Sequence, residues 1–157
     1  MELLPEKIEG IPTEKKLSKE RREIVRKEYI RLIESLQKRC GKKAVYNNFL
    51  RTDVFIIMRE SEKIASNSAA FNWQSTYAVK HLLEVIRDAM PVLGRPIYTI
   101  PKSNGKQKEF GYVNMATLYH QFHSAEHDYL NFTVKLVLGV KNDKRHIQYS
   151  VNKIEVI

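Results

Sequence analysis

The chain has 157 residues, of which 43% are hydrophobic and 29% charged, with 27 Lys and Arg against 18 Asp and Glu. That composition fits one ordinary globular domain with an added arm, and the net charge of +9 favours polyanionic partners. The single Cys40 excludes an internal disulfide framework and a cysteine-built zinc site, and no apolar run approaches the roughly 18 residues of a membrane span. The acidic start, Met1-Glu2-Leu3-Leu4-Pro5-Glu6, lacks the apolar core of a signal peptide, so a cytoplasmic location is expected.

Residues 1–12 hold two prolines and a glycine and read as a loose lead-in. Val25, Tyr29, Leu32, Ile33, Leu36 and Cys40 then recur at helical spacing, which predicts an amphipathic helix over residues 18–40 with Ser18 as N-cap and Gly41 as stop. Its other side is crowded with Lys and Arg. A solvated helix face explains these charges, and so does an arm for nucleic acid in which Arg22 and Arg26 touch phosphate.

Val54-Phe55-Ile56-Ile57-Met58 reads as a buried strand, residues 59–64 as a helical turn containing Lys63, and residues 66–75 as a Ser- and Asn-rich loop. Trp73 in that loop is expected to be a packing anchor. Val79, Leu82, Leu83, Ile86 and Met90 predict a second helix over residues 75–90, capped by Ser75 and bounded by Pro91 and Gly94. At about 100° per residue, His81 lies about 200° from Val79. Tyr77, Glu84 and Asp88 share that side, so Lys80-His81 is either plain surface or the edge of a site.

From residue 96 the apolar period becomes two. Residues 97–100 make a short strand, and a basic turn containing Lys102 follows. Residues 110–124 make a longer strand, and in the next one Leu130, Phe132, Val134, Leu136, Leu138 and Val140 point one way. In the last strand Ile147, Tyr149 and Val151 are expected to share a face opposite His146, Gln148 and Ser150, with a bulge near Asn152-Lys153. The fold class is α+β: N-terminal helices followed by an antiparallel sheet of about four strands, one face covered by a helix and the other polar.

Gly-rich phosphate loops and zinc-protease or serine-hydrolase motifs are absent from the sequence. A strand period places His120 and His123 on opposite faces, which argues against joint metal ligation, and neither metal nor cofactor is expected. The polar sheet face would gather Tyr119, Gln121, His123, Thr133, Lys135, His146, Gln148 and Ser150. Histidines beside a cation and hydroxyls suit metal-free phosphodiester cleavage, with one ring accepting a proton, another donating one, and a lysine balancing charge on phosphate. An ordinary solvated sheet face has the same composition. His120, beside Leu118 and Phe122, also reads as a satisfied core histidine.

The stretches "KIASNSAAFNWQSTYAVKHLLEVIRDAMPVLG", "LYHQFHSAEHDYLNFTVKLVLG" and "IQYSVNKIEVI" resemble a domain associated with large polyvalent phage proteins and MuF-type phage toxins, grouped with barnase–EndoU–colicin–RelE-like nucleases. The resemblance covers residues 53–157 and leaves residues 1–52 as an N-terminal extension. It implies roles for Lys63, Lys80-His81, His120, Lys135 and Tyr149-Ser150. Many members carry a histidine in the serine-rich loop, where this chain reads Ser66-Asn67-Ser68.

The resulting expectation is a phage- or mobile-element-associated, toxin-like nuclease domain that binds RNA in preference to DNA and cleaves it without metal. His81, His120, His123, Lys135 and Ser150 would act at the reacting bonds, and Lys63, Lys80, Arg22, Arg26 and Lys102 would hold nucleic acid. The alternative is a non-catalytic module, an adaptor or inhibitor that acts on a host or phage protein, motivated by the missing loop histidine.

Overall fold

Helix α1 (Ser18–Cys40) forms where the apolar spacing predicts it, and it ends at Gly41, whose φ of +73° is open to glycine at little cost. A computed structural model describes residues 7–8, 11–12, 18–57, 72–101 and 106–154; for 7, 8, 11, 12, 18, 19, 106, 107 and 152–154 it describes the backbone alone. Lys63, Lys102, the helical turn at 59–64 and most of the serine-rich loop lie outside the described residues.

Two short strands, β1 (Lys7–Ile8) and β2 (Ile11–Pro12), pair with each other ahead of α1. A hairpin follows α1, made of β3 (Ala44–Asn47) and β4 (Thr52–Phe55). Next come α2 (Trp73–Lys80) and α3 (Leu82–Asp88), then β5 (Tyr98–Thr99), a single helical turn at Lys106–Glu109, and β6 (Tyr112–Phe122). The chain closes with β7 (Phe132–Lys141) and β8 (His146–Ile154).

The α+β class is as expected, but the sheet is larger and mixed. It has six strands in the order β3-β4-β8-β7-β6-β5. The expected antiparallel meander is β5 to β8, and β4 adds to the far side of β8 in parallel. Strand β3 was not anticipated, because Ala44-Val45-Tyr46-Asn47 is too short to show a period. The boundary expected at residue 52/53 falls inside the β3–β4 hairpin. Helix α1 shares one core with the sheet through Val25, Tyr29, Ile33 and Leu36.

On the front face, α1, α2 and α3 cover the sheet. Ala78, Val79, Leu82, Val85 and Ile86 meet Leu118, Val134, Leu136 and Leu138, all buried. Each large aliphatic side chain removed from water here contributes about 1.5–3 kcal/mol. The back face is not the uniformly polar surface expected. Tyr112, Met115, Ile147 and Tyr149 make a second buried cluster there, packed by Phe55, Ile57, Phe110 and Val137.

The last strand differs from its expected parity. The register shifts opposite Val137 and Leu138, where Val137 pairs with Ser150 and Leu138 with Gln148, and then runs unbroken through Asn152 and Lys153. The bulge therefore sits three residues earlier than expected. It turns Gln148 to the front, where it meets Tyr29, and leaves Tyr149 and Ser150 on the back. Val151, expected beside Tyr149, joins the front core instead.

The second helix is broken at His81, and its cap is Asn72, not Ser75: the Asn72 side chain accepts from the Ser75 amide at 2.8 Å. Trp73 is the expected anchor, 3% exposed and set edge-on to Phe132.

Two positions test this packing. Buried Asn47 donates to the carbonyls of Ile86 and Ala89 at 2.8 and 3.0 Å and accepts from the Leu50 amide at 2.6 Å, tying the hairpin to the end of α3. Asn47→Ala is expected to lower unfolding stability by about 3 kcal/mol in denaturant titration, since it strands two buried carbonyls. At Gly139, a Cβ would stand 2.4 Å from the Tyr112 ring, which lies over the strand. Gly139→Ala is expected to cost about 1–3 kcal/mol, and pairing it with Tyr112→Leu to recover part of the loss.

Candidate functional site

The joint between α2 and α3 is one residue, His81, with φ −118° and ψ 32°. Its amide donates to the Ala78 carbonyl at 3.1 Å and its carbonyl accepts from the Val85 amide at 3.0 Å, so the backbone stays bonded while the side chain leaves the regular wheel. The residue is exposed, yet one side of its imidazole lies on the Tyr77 ring at 4.5 Å, and Phe122 of β6 meets it edge-on at 6.0 Å. Burial of that side pushes the imidazole below its ordinary proton affinity, and Glu84 opposes the shift only in part.

His120 reaches the same place from the sheet. It stands on the front face of β6, edge-on to Phe122 at 4.8 Å, and its Nε2 lies 2.8 Å from Oε2 of Glu84 on α3. The His120 side chain is 11% exposed and Glu84 44%, so the pair lies at the rim of the core, with solvent on the carboxylate side. Phe122 thus separates and props two imidazoles, one from the helix joint and one from the sheet.

Glu84 lines one hollow and His120 another. The first, of about 440 Å³, lies between α1 and the α2–α3 joint and is lined by Glu28, Arg31, Ser35, Lys80, His81, Glu84 and Arg87. The second, of about 370 Å³, lies at the sheet edge and is lined by Asp88, Met90, Pro91, Tyr119, His120, Gln121, His123 and Thr133. Arg31 pairs with Glu28. Arg87 grips Asp88 through Nε and Nη2 at 3.0 and 2.7 Å, which holds the Asp88 carboxyl below the usual carboxylate range. Among the described residues, no three His, Cys, Asp or Glu side chains gather as a metal-binding group. No helix among them is long and apolar enough to cross a membrane.

Of the expected catalytic residues, His81 lines the first hollow, and His120 and His123 line the second. Lys135 and Ser150 line neither. His120 pairs with Val134 on the front face, whereas Lys135 pairs with Tyr119, and Ser150 with Val137, on the back. The sheet lies between His120 and these two: Lys135 and Ser150 share the back face with Tyr119, Gln121 and Thr133, as expected of the polar face, while His120 stands on the front. His146 and Gln148, expected on that polar face, leave it. His146 holds the Tyr98 hydroxyl at 3.2 Å near one end of the sheet, and Gln148 is buried in the front core.

Among the expected nucleic-acid contacts, Lys80 lines the first hollow. Arg22 and Arg26 are exposed on α1 but on another flank. They precede the groove-lining Arg31 by nine and five residues, about 180° and 140° around the helix. Lys63 and Lys102 lie outside the described residues.

Arg31 and Arg87 were not singled out from the sequence, where they are two cations among many. Glu84 was visible on the His81 side of its helix, but its pairing with His120, 36 residues away, has no local signal.

Comparison with protein-family models, with curated proteins and with solved structures finds no match to this chain.

The buried histidine His146 provides a pH test. Its Nδ1 lies 3.0 Å from the Lys144 carbonyl, and burial pushes its proton affinity below the ordinary value of 6.5, as it does for His81. A histidine with a depressed folded value takes up its proton more readily when unfolded. Stability is therefore complete above pH 6.5 and falls as pH drops below it. Unfolding midpoints at pH 7.5 and 5.5 are expected to show this loss, and His146→Gln to reduce it.

Proposed function

We propose that this chain is an RNA-binding domain that cleaves RNA without a metal ion, encoded by a phage or mobile element and acting in the cytoplasm, and related to the polyvalent-protein nuclease-like domains it resembles. The observation that carries the reading is the Glu84–His120 pair set beside His81 at the mouth of a groove lined with cations.

The chemistry needs two proton-handling groups. His81, kept neutral near pH 7 by partial burial, takes the proton of a ribose 2′-hydroxyl. The 2′-oxygen attacks phosphorus, the bond from phosphorus to the 5′-oxygen breaks, and protonated His120 gives that oxygen its proton. The products are a 2′,3′-cyclic phosphate and a free 5′-hydroxyl. Glu84 holds Nε2 of His120, which leaves Nδ1 for the transfer. Lys80 supplies positive charge at the phosphate. Arg87 uses Nε and Nη2 on Asp88 and keeps further N–H donors for the same purpose. The requirement for a 2′-hydroxyl accounts for RNA over DNA.

A second reading, a non-catalytic module that binds a host or phage protein, is favoured by the separation of Lys135 from the histidines and by the engagement of Arg31 and Arg87 with their own carboxylates.

Purified protein with RNA in EDTA separates the two. Cleavage ending in cyclic phosphate is expected. His81→Ala and His120→Ala should each reduce it by about 100-fold, and Glu84→Gln by about tenfold. Absence of both cleavage and salt-dependent RNA binding would overturn this reading in favour of the second.

A further inference from the structure

The β6–β7 connection is longer than a tight hairpin needs, and it is built rather than slack. Asn131 Nδ2 donates to the carbonyls of Ser124, His127 and Asp128 at 3.0, 3.3 and 3.3 Å, and its Oδ1 accepts from the Ser124 amide at 3.0 Å. The Ser124 hydroxyl accepts from the amides of Glu126 and His127 at 3.3 and 3.1 Å. This network holds a 3₁₀ turn, Asp128–Leu130, and on it two rings: His127 and Tyr129 lie stacked, 5.1 Å apart and 27° from parallel.

The stack contributes little to any core. His127 is exposed and Tyr129 half-buried, and neither belongs to the two buried clusters. It is nevertheless continuous with the site. Tyr129 meets Trp73 at 6.3 Å, Trp73 meets Phe132 at 5.5 Å, Phe132 meets Tyr77 at 5.8 Å, and Tyr77 lies on His81 at 4.5 Å. An ordered, exposed imidazole on a phenol, joined by packed rings to the proposed general base, is a platform for a flat apolar face.

We infer that the His127–Tyr129 stack is a subsite for one unpaired nucleobase of the RNA strand whose phosphate occupies the histidine groove. The inference rests on the RNA reading given above. Stacking on aromatic side chains tolerates every base, because each has a π-face. The exposed Glu126 and Asp128 on the same loop repel phosphate, so the loop takes the base and leaves the backbone to the cationic groove. A duplex, whose bases are already stacked, has nothing to offer the platform, so the subsite selects single strands.

The test uses 2′-O-methyl RNA pentamers, which cannot be cleaved, and the same backbone lacking its bases. Binding is read by anisotropy of an end label and by fluorescence of Trp73, the only tryptophan, which adjoins Tyr129. The base-bearing strand is expected to bind about tenfold more tightly than the abasic one and to change the Trp73 signal. His127→Ala, an exposed position with no core role, should bring the two affinities within about twofold while the salt dependence persists. Equal binding of both strands by the unaltered protein would overturn the subsite and leave the RNA reading standing, as would full discrimination by His127→Ala. Binding of neither strand would overturn the subsite, and, together with no cleavage of unmodified RNA, the RNA reading as well.

Discussion

Strand β8 is the constraint around which this protein is organised. It is hydrogen-bonded on both edges, antiparallel to β7 and parallel to β4, and its side chains are buried on both faces. A strand in that position needs a matched edge on each side. The β3–β4 hairpin supplies one of them. That hairpin is held in place by Asn47, which bonds to carbonyls near the end of α3, so the helix layer and the outer strands are locked together through one buried amide. The bulge in β8 then decides which residues face which way. Without the extra residue, Gln148 and Val151, three positions apart, would fall on opposite faces and could not both stand in the front core.

The candidate site follows from where the front core stops. Phe122 is the last residue of β6 and is buried, while His81 and His120 stand against its edges at the border with solvent. Proton-transfer groups need this kind of position: enough apolar contact to fix the ring and bias its charge, and enough solvent for a substrate to arrive. The carboxylate of Glu84 crosses from the helix layer to the sheet and so couples the ring orientation of His120 to the packing of α3. The acidic side chains near the site work mainly by pairing with their neighbours, Glu28 with Arg31 and Asp88 with Arg87. The groove is therefore cationic but moderated.

Some of this was legible in the residues. The period of α1 and the alternation in β7 follow directly from chain geometry, because a 3.6-residue or two-residue repeat is a local property. His81 standing away from the apolar stripe, with Tyr77 and Glu84 on its side, was legible for the same reason. The joint between α2 and α3 was not, since nothing in Lys80-His81-Leu82 is a helix breaker and the bend is set by packing. Strand β3 was too short to declare itself. Period-two counting carries no memory of an inserted residue: one bulge set Gln148 and Val151 on the same face and took His146 and Gln148 away from the face that keeps Ser150.

What the sequence determined by itself was the α+β class, the helix over residues 18–40, the inward face of β7, the basic charge and the outward side of His81. Each depends on residues close together in the chain. Only the tertiary structure decided that β8 lies between β7 and β4, that His146 and Gln148 leave the back of the sheet, and that Glu84 meets His120. Those outcomes are long-range pairings, in which a register, a bulge and the close approach of distant side chains are selected together by burial and hydrogen bonding. No local pattern encodes them, because the free energy that selects them belongs to the packed whole.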